Sequence, residues 1–188
     1  GLLGQFITGY ARDTSLIDEI PRRLVTKISL LRIVYYVINR TFPRASFDIE
    51  YHHDSMFGYL SGRMLRVCQL FHGYSNFALE PMRIAKSSGA VVVWEGGCHP
   101  RAYQETYAVE AKKVGVKVPE LVSERSALRM EKEIDLADAI IVTSLSAQQT
   151  YLKQNVPSRK IYVVPLGWQS AAFVNADKKL SSKSVRLL

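Results

Sequence analysis

Short apolar runs rich in β-branched residues recur along the chain, and each is followed by a longer stretch whose apolar positions fall at helical spacing. That alternation predicts βα units built around a parallel sheet. The predicted strands are residues 4–9 (GQFITG), 66–71 (RVCQLF), 90–94 (AVVVW), 138–144 (DAIIVTS) and 160–165 (KIYVVP). Their apolar positions run consecutively, as expected of strands with helices on both faces of the sheet. Helices are predicted over residues 18–39, 52–64, 76–88, 100–114, 120–137 and 146–155. The expected class is therefore α/β, a Rossmann-like parallel sheet.

Local chemistry marks several helix ends. Ser88-Gly89 stops one helix ahead of AVVVW, and Gly115 closes the next. Asn76 is placed to cap the helix that follows it, within which Pro81 is expected to remove a hydrogen bond and produce a kink. Ser146 is placed to cap AQQTYLKQN, which Pro157 cannot continue. From Asp177 the chain runs DKKLSSKS, a polar linker, and then VRLL, which reads as the opening strand of another domain. With no initiator methionine, the expectation is a piece of a longer protein. Residues 1–176 would form one domain short of its first strand, and residues 177–188 a linker and the start of a second domain.

The 188 residues are 47% hydrophobic and 22% charged, enough chain and ordinary usage for one sizeable core. A net charge of +8 points to an anionic partner. Nucleic acid is not expected, because no exposed run alternates aromatic and basic residues. Two distant cysteines, Cys68 and Cys98, suit a reducing compartment and no metal-ligand spacing. His52, His53 and Asp54 are adjacent, so their side chains diverge, and no metal is expected there. The start of the chain lacks the order of a signal peptide, and the longest apolar stretch falls short of the ~20 residues that span a bilayer. A cytoplasmic location is expected, peripheral at the inner face of a membrane.

In an open parallel sheet, ligands gather at the carboxyl ends of the strands. The segments to inspect are His72-Gly73-Tyr74-Ser75, Glu95-Gly96-Gly97-Cys98-His99-Pro100-Arg101 and Thr143-Ser144. In the second, a carboxylate, two glycines, an imidazole and a guanidinium share one turn and can converge on a sugar or phosphate. His99 and Glu95 are the candidate catalytic residues. His72, Gly73, Tyr74, Gly96, Gly97, Arg101 and Ser144 are the candidate substrate-binding residues. Plainer readings stand beside several of them: Gly96 and Gly97 as turn formers, His99 as a helix cap, Ser144 as part of the turn into the next helix, His72 as a satisfied strand-end histidine. No phosphate-loop, dinucleotide, nucleophile-elbow or zinc-protease fingerprint is present.

The stretch DLADAIIVTSLSAQQTYLKQNVPSRKIYVVPLGWQSAAF resembles the end of the N-terminal domain of retaining family-4 glycosyltransferases. Upstream, HGYSNFALEPMRIAKSSGAVVVWEGGCHPR is similar to the family's His-Gly, helix, valine-rich strand and polar loop ending in His-Pro. The likeness covers roughly residues 66–188, about two thirds of the chain. It implies the acceptor-side half of a GT-B enzyme, in which two Rossmann-like domains face a cleft. A nucleotide-sugar donor and an acceptor are the implied substrates, the anomeric configuration is retained, and no cofactor or metal is needed. The C-terminal donor-binding domain would lie beyond Leu188, which leaves residues 1–188 inactive alone. Two departures stand out: Glu95 occupies the neighbourhood where many relatives carry a histidine, and the family's Pro-Asn-Gly-Val-Asp turn here reads Pro165-Leu166-Gly167-Trp168-Gln169. The alternative is a non-catalytic Rossmann-like nucleotide-binding or interaction subunit.

Arg22, Arg23, Lys27, Arg32 and Arg40 interleave with Leu24, Ile28, Leu31, Val34, Tyr35 and Ile38. That pattern fits a basic amphipathic helix on an anionic membrane surface. It also fits, as any helix of a βα fold would, a core-facing helix whose other side is solvated, and that is the reading preferred.

Overall fold

The computed structural model describes residues 2–9, 20–41, 46–117 and 121–167, and the side chains of all of these except residues 46–48. In chain order the elements are β1 (Phe6–Thr8), a 3-10 turn (Arg22–Leu24), β2 (Val25–Lys27), α1 (Ser29–Thr41), α2 (Ser46–Met64) and β3 (Leu70–Tyr74). There follow α3 (Leu79–Ser87), β4 (Val91–Gly96), α4 (Pro100–Val114), α5 (Glu124–Leu136), β5 (Ala139–Val142), α6 (Leu145–Lys153), a 3-10 turn (Ser158–Lys160) and β6 (Ile161–Val163). The chain is an α/β protein with a four-stranded sheet, β3-β4-β5-β6, all parallel, and a separate parallel pair β1-β2.

Strands adjacent in sequence are adjacent in the sheet, and α3, α5 and α6 pack on one face of it. Alternate strand residues Val92, Trp94, Ile140, Val142 and Ile161 bury against Met82 and Ala85 of α3, Ile134 of α5, and Ala147 and Tyr151 of α6. The rings of Trp94 and Tyr151 meet edge-on at 6.1 Å. Helix cover, expected on both faces, is dense on this one. On the opposite face, among the described residues, Leu70, Val91 and Tyr162 are more than half exposed.

Asp138 locks β5 to β4 at its start. Its N–H donates to the Val92 carbonyl at 2.9 Å, and its Oδ2 accepts the Val92 N–H at 3.0 Å. Lys86 Nζ reaches Oδ1 at 2.8 Å, and the Lys86 and Val92 hydrogen bonds hold the carboxyl below its ordinary pKa.

Several boundaries differ from the sequence pattern. The helix expected over residues 18–39 begins at Ser29, and Val25–Lys27 is a strand paired with Phe6–Thr8; Asp18 lies outside the described residues. Pro21 disfavours a helical Ile20, and the β-branched Val25 and Thr26 suit the extended pairing. The strand expected at residues 66–71 lies at Leu70–Tyr74, because the Arg66 N–H is taken by Gln5 Oε1 at 2.9 Å while the ladder with β4 runs from Leu70 opposite Val91 to Tyr74 opposite Glu95.

The helix after β3 starts at Leu79, and Asn76 does not cap it: Asn76 has a left-handed φ of 73° and the N-cap residue is Ala78. Pro81 falls in the first turn, where its missing N–H would have no intrahelical acceptor, so the expected cost does not arise. Ser144, not Ser146, caps α6. Gly89 and Gly115 close their helices at positive φ, as their positions suggest. Trp168, Gln169 and the linker expected at residues 177–188 lie outside the described residues.

Candidate functional site

The parallel register sets His72 beside Val93 and Tyr74 beside Glu95 at the carboxyl ends of β3 and β4. Because side chains alternate along a strand, His72, Tyr74 and Glu95 project from the face opposite Trp94. There His72 Nε2 lies 3.0 Å from Glu95 Oε2, with the two side chains 46% and 30% exposed. Ser75 continues the ladder by donating its N–H to the Glu95 carbonyl at 2.8 Å. His72, Gly73, Tyr74, Glu95 and Gly96 are thus strand residues, not members of the loops that follow.

This pair is the part of the structure best suited to chemistry. The Glu95 carboxylate stands at ion-pair distance from the Nε2 edge of the imidazole, and Nδ1 lies on the other edge of the ring. Tyr74 adds an exposed phenol beside the carboxylate.

The glycines serve packing. A Cβ on Gly73 would stand 2.5 Å from the Ala78 Cβ and 2.7 Å from the Phe71 ring. On Gly96 it would come within 2.3 Å of the Trp94 ring. Both therefore keep the inner face of the sheet close to its own aromatic residues and to the start of α3. Gly97 has open space around it, and its carbonyl accepts from the Tyr151 hydroxyl at 3.0 Å.

His99 is placed apart from Glu95. It is 4% exposed, sits edge-on to Tyr151 with ring centroids 5.5 Å apart, and caps α4: its Nδ1 accepts the Arg101 N–H at 3.3 Å, and its own N–H donates to Thr150 Oγ1 at 2.8 Å. Burial pushes its pKa down, with Glu131, Glu105 and Asp135 pulling against that and Arg101 adding to it. A neutral ring is what the cap requires, since Nδ1 must accept.

Arg101 turns to carboxylates, with Nη2 at 2.8 Å from Glu124 Oε1 and Nε at 2.7 Å from Glu131 Oε1. The hydrogen bonds to Glu124 and Glu131 raise its pKa further and secure its charge. It borders an open groove of about 390 Å³ with Gln104, Glu105 and Val122. Ser144 Oγ accepts the Ala147 N–H at 3.1 Å and is used as a cap.

A buried polar network that sequence reasoning missed positions the loop leaving β3. Glu133 of α5 is 0% exposed. Its Oε1 accepts the N–H groups of Ala78 and Leu79, each at 3.0 Å, and its Oε2 accepts Asn76 N–H at 2.7 Å and Trp94 Nε1–H at 2.9 Å. A carboxylate from another helix thereby caps α3. Burial pushes the Glu133 carboxyl up, opposed by the hydrogen bonds from Trp94, Asn76 and Ala78 and by Arg129. Arg129 donates from Nε to the Asn76 carbonyl at 2.8 Å and from Nη1 to Glu80 Oε1 at 2.7 Å. Asp54 accepts from the Asn76 side-chain amide and pairs with His53 Nδ1 at 2.8 Å. The signal in the sequence is a glutamate on the apolar stripe of α5, beside Ile134 and one turn from Met130, where the helical period calls for an apolar residue.

Among known proteins, no family model, curated sequence or solved structure matches the chain.

Proposed function

We propose that this chain is the acceptor-side domain of a GT-B glycosyltransferase that moves a sugar from a nucleotide-sugar to a hydroxyl acceptor with retention. The observation that carries the reading is the His72–Glu95 pair, exposed at the carboxyl ends of two adjacent parallel strands. The order of strands and helices over residues 66–167 agrees with the family resemblance of that stretch.

His99 is buried as a helix cap, so the polar role expected of it passes to His72 and Glu95. In retaining transfer without a protein nucleophile, the breaking bond leaves positive charge on the sugar and negative charge on the departing phosphate. His72, oriented by Glu95, would hold an acceptor hydroxyl or sugar hydroxyl against that developing charge. On this reading the nucleotide is held by groups outside residues 1–188.

The test is sugar transfer by the enzyme that joins this domain to its donor-binding half, screened with a panel of nucleotide-sugars. His72→Ala and Glu95→Gln should each lower turnover by roughly ten- to a thousandfold, the loss of one positioned polar group worth about 1.4 to 4 kcal/mol. Unchanged turnover in both variants overturns the assignment of the site. Transfer by residues 1–188 alone overturns the assignment of the domain.

A further inference from the structure

Helix α1 is apolar on two opposite sides. Leu31 and Tyr35 turn inward, and the Tyr35 ring lies 4.5 Å from that of His53 on α2. At 100° per residue, Leu30, Ile33, Val34 and Val37 occupy positions i, i+3, i+4 and i+7 of the other side. They are 73%, 60%, 45% and 54% exposed, and Tyr36, at 63%, stands at the border of the stripe. A helix that only covered a core would be polar there. A contiguous exposed apolar stripe marks a surface that meets something else.

The charges around it indicate what that is. From residue 20 to residue 41 the chain carries Arg22, Arg23, Lys27, Arg32 and Arg40, and no aspartate or glutamate. We propose that this face of α1 docks on an anionic membrane surface, with the aliphatic stripe entering the headgroup region and Arg22, Arg23 and Arg40 lying among lipid phosphates. Pairing with a second copy would bring like charges together, which disfavours that occupant. A helix of 13 residues is roughly 20 Å long, too short to cross a ~30 Å hydrocarbon layer, so it would lie in the plane of the interface. Among the described residues no helix is long and apolar enough to cross a membrane. Tyrosine at the edge of the stripe suits the boundary between headgroup and acyl chain.

The experiment is flotation of the full 188-residue chain with vesicles of phosphatidylcholine, alone or with about a third phosphatidylglycerol. The chain should float with the anionic vesicles and remain below with the neutral ones. Ile33→Ser with Val37→Ser, which leaves the charge unchanged, should abolish flotation. Arg22→Gln, Arg23→Gln and Arg40→Gln should each weaken binding about fivefold. Matching thermal unfolding of every variant in solution shows that the fold is kept. As a direct probe, Val34→Trp should give emission that shifts blue on anionic vesicles and is quenched by brominated lipid. Flotation of the double-serine variant equal to that of the parent would show charge attraction alone and overturn the proposal. So would no flotation at all, or self-association of the parent that the double-serine variant loses.

Discussion

The carboxylate of Glu133 accepts the indole N–H of Trp94 at 2.9 Å, joining α5 to the centre of the sheet at a position closed to solvent. The same carboxylate accepts three backbone N–H groups at the start of α3. Glu133→Ala leaves three buried donors and the half-buried Asn76 N–H unpaired, each buried one costing about 1–3 kcal/mol if no water replaces the acceptor. Urea unfolding followed by tryptophan fluorescence should show a loss of at least about 3 kcal/mol. Glu133→Gln should also destabilise, because its amide presents donors to donors. A loss below about 1 kcal/mol for the alanine variant would contradict the network's role.

Gly96 and Gly97 should respond in opposite ways. A methyl group on Gly96 meets the ring of Trp94, which is 1% exposed and has nowhere to move, whereas one on Gly97 meets nothing within 4 Å. Gly96→Ala should cost about 1–3 kcal/mol by overpacking, and Gly97→Ala should stay within about 0.5 kcal/mol of the parent. Thermal unfolding of the two variants side by side decides this, and equal melting temperatures would refute it.

The His99 cap carries a pH dependence of known sign. Burial lowers its folded-state pKa, so as pH falls the unfolded chain takes up the proton first. The stability it contributes is fully present above about pH 6.5 and declines as pH drops toward the folded pKa. His99→Ser offers the Arg101 N–H another acceptor but has no proton to bind, so it should flatten the fall in stability below that pH. His99→Ala should cost about 1 kcal/mol or more at neutral pH, from the lost cap and ring contact. Unfolding curves from pH 7.5 to 5 test both, and an unchanged slope in the serine variant would sink the argument.

Loss of the His72–Glu95 pair should leave the fold intact. Both groups are partly exposed, and such pairs contribute at most about 1 kcal/mol. His72→Ala and Glu95→Gln should therefore melt within a few degrees of the parent while transfer falls. A large drop in melting temperature would mean that any loss of activity reflects unfolding.

Wherever short-range chemistry decides the structure, the amino-acid sequence by itself determined it. Pro100 and Gly115 bracket α4 as their backbone preferences require, and the valine- and isoleucine-rich runs become β4, β5 and β6. Even the missed cap of α6 was a displacement of two residues, from Ser146 to Ser144. What only the tertiary structure decided involves partners far apart in the chain. Val25–Lys27 leaves its helical pattern because Phe6–Thr8 offers a ladder, and β3 begins at Leu70 because Gln5 holds the Arg66 N–H. The start of α3 is capped by a carboxylate more than fifty residues away, which no window around Asn76 contains. The candidate site divides the same way. His72, Glu95 and His99 were all visible as polar residues near strand ends, but strand alternation sent the first two to the open face, and the α4 cap and the Tyr151 ring buried the third. Local sequence sets which conformations are cheap, and the face a side chain finally occupies is set by the register and packing of elements it meets only after folding.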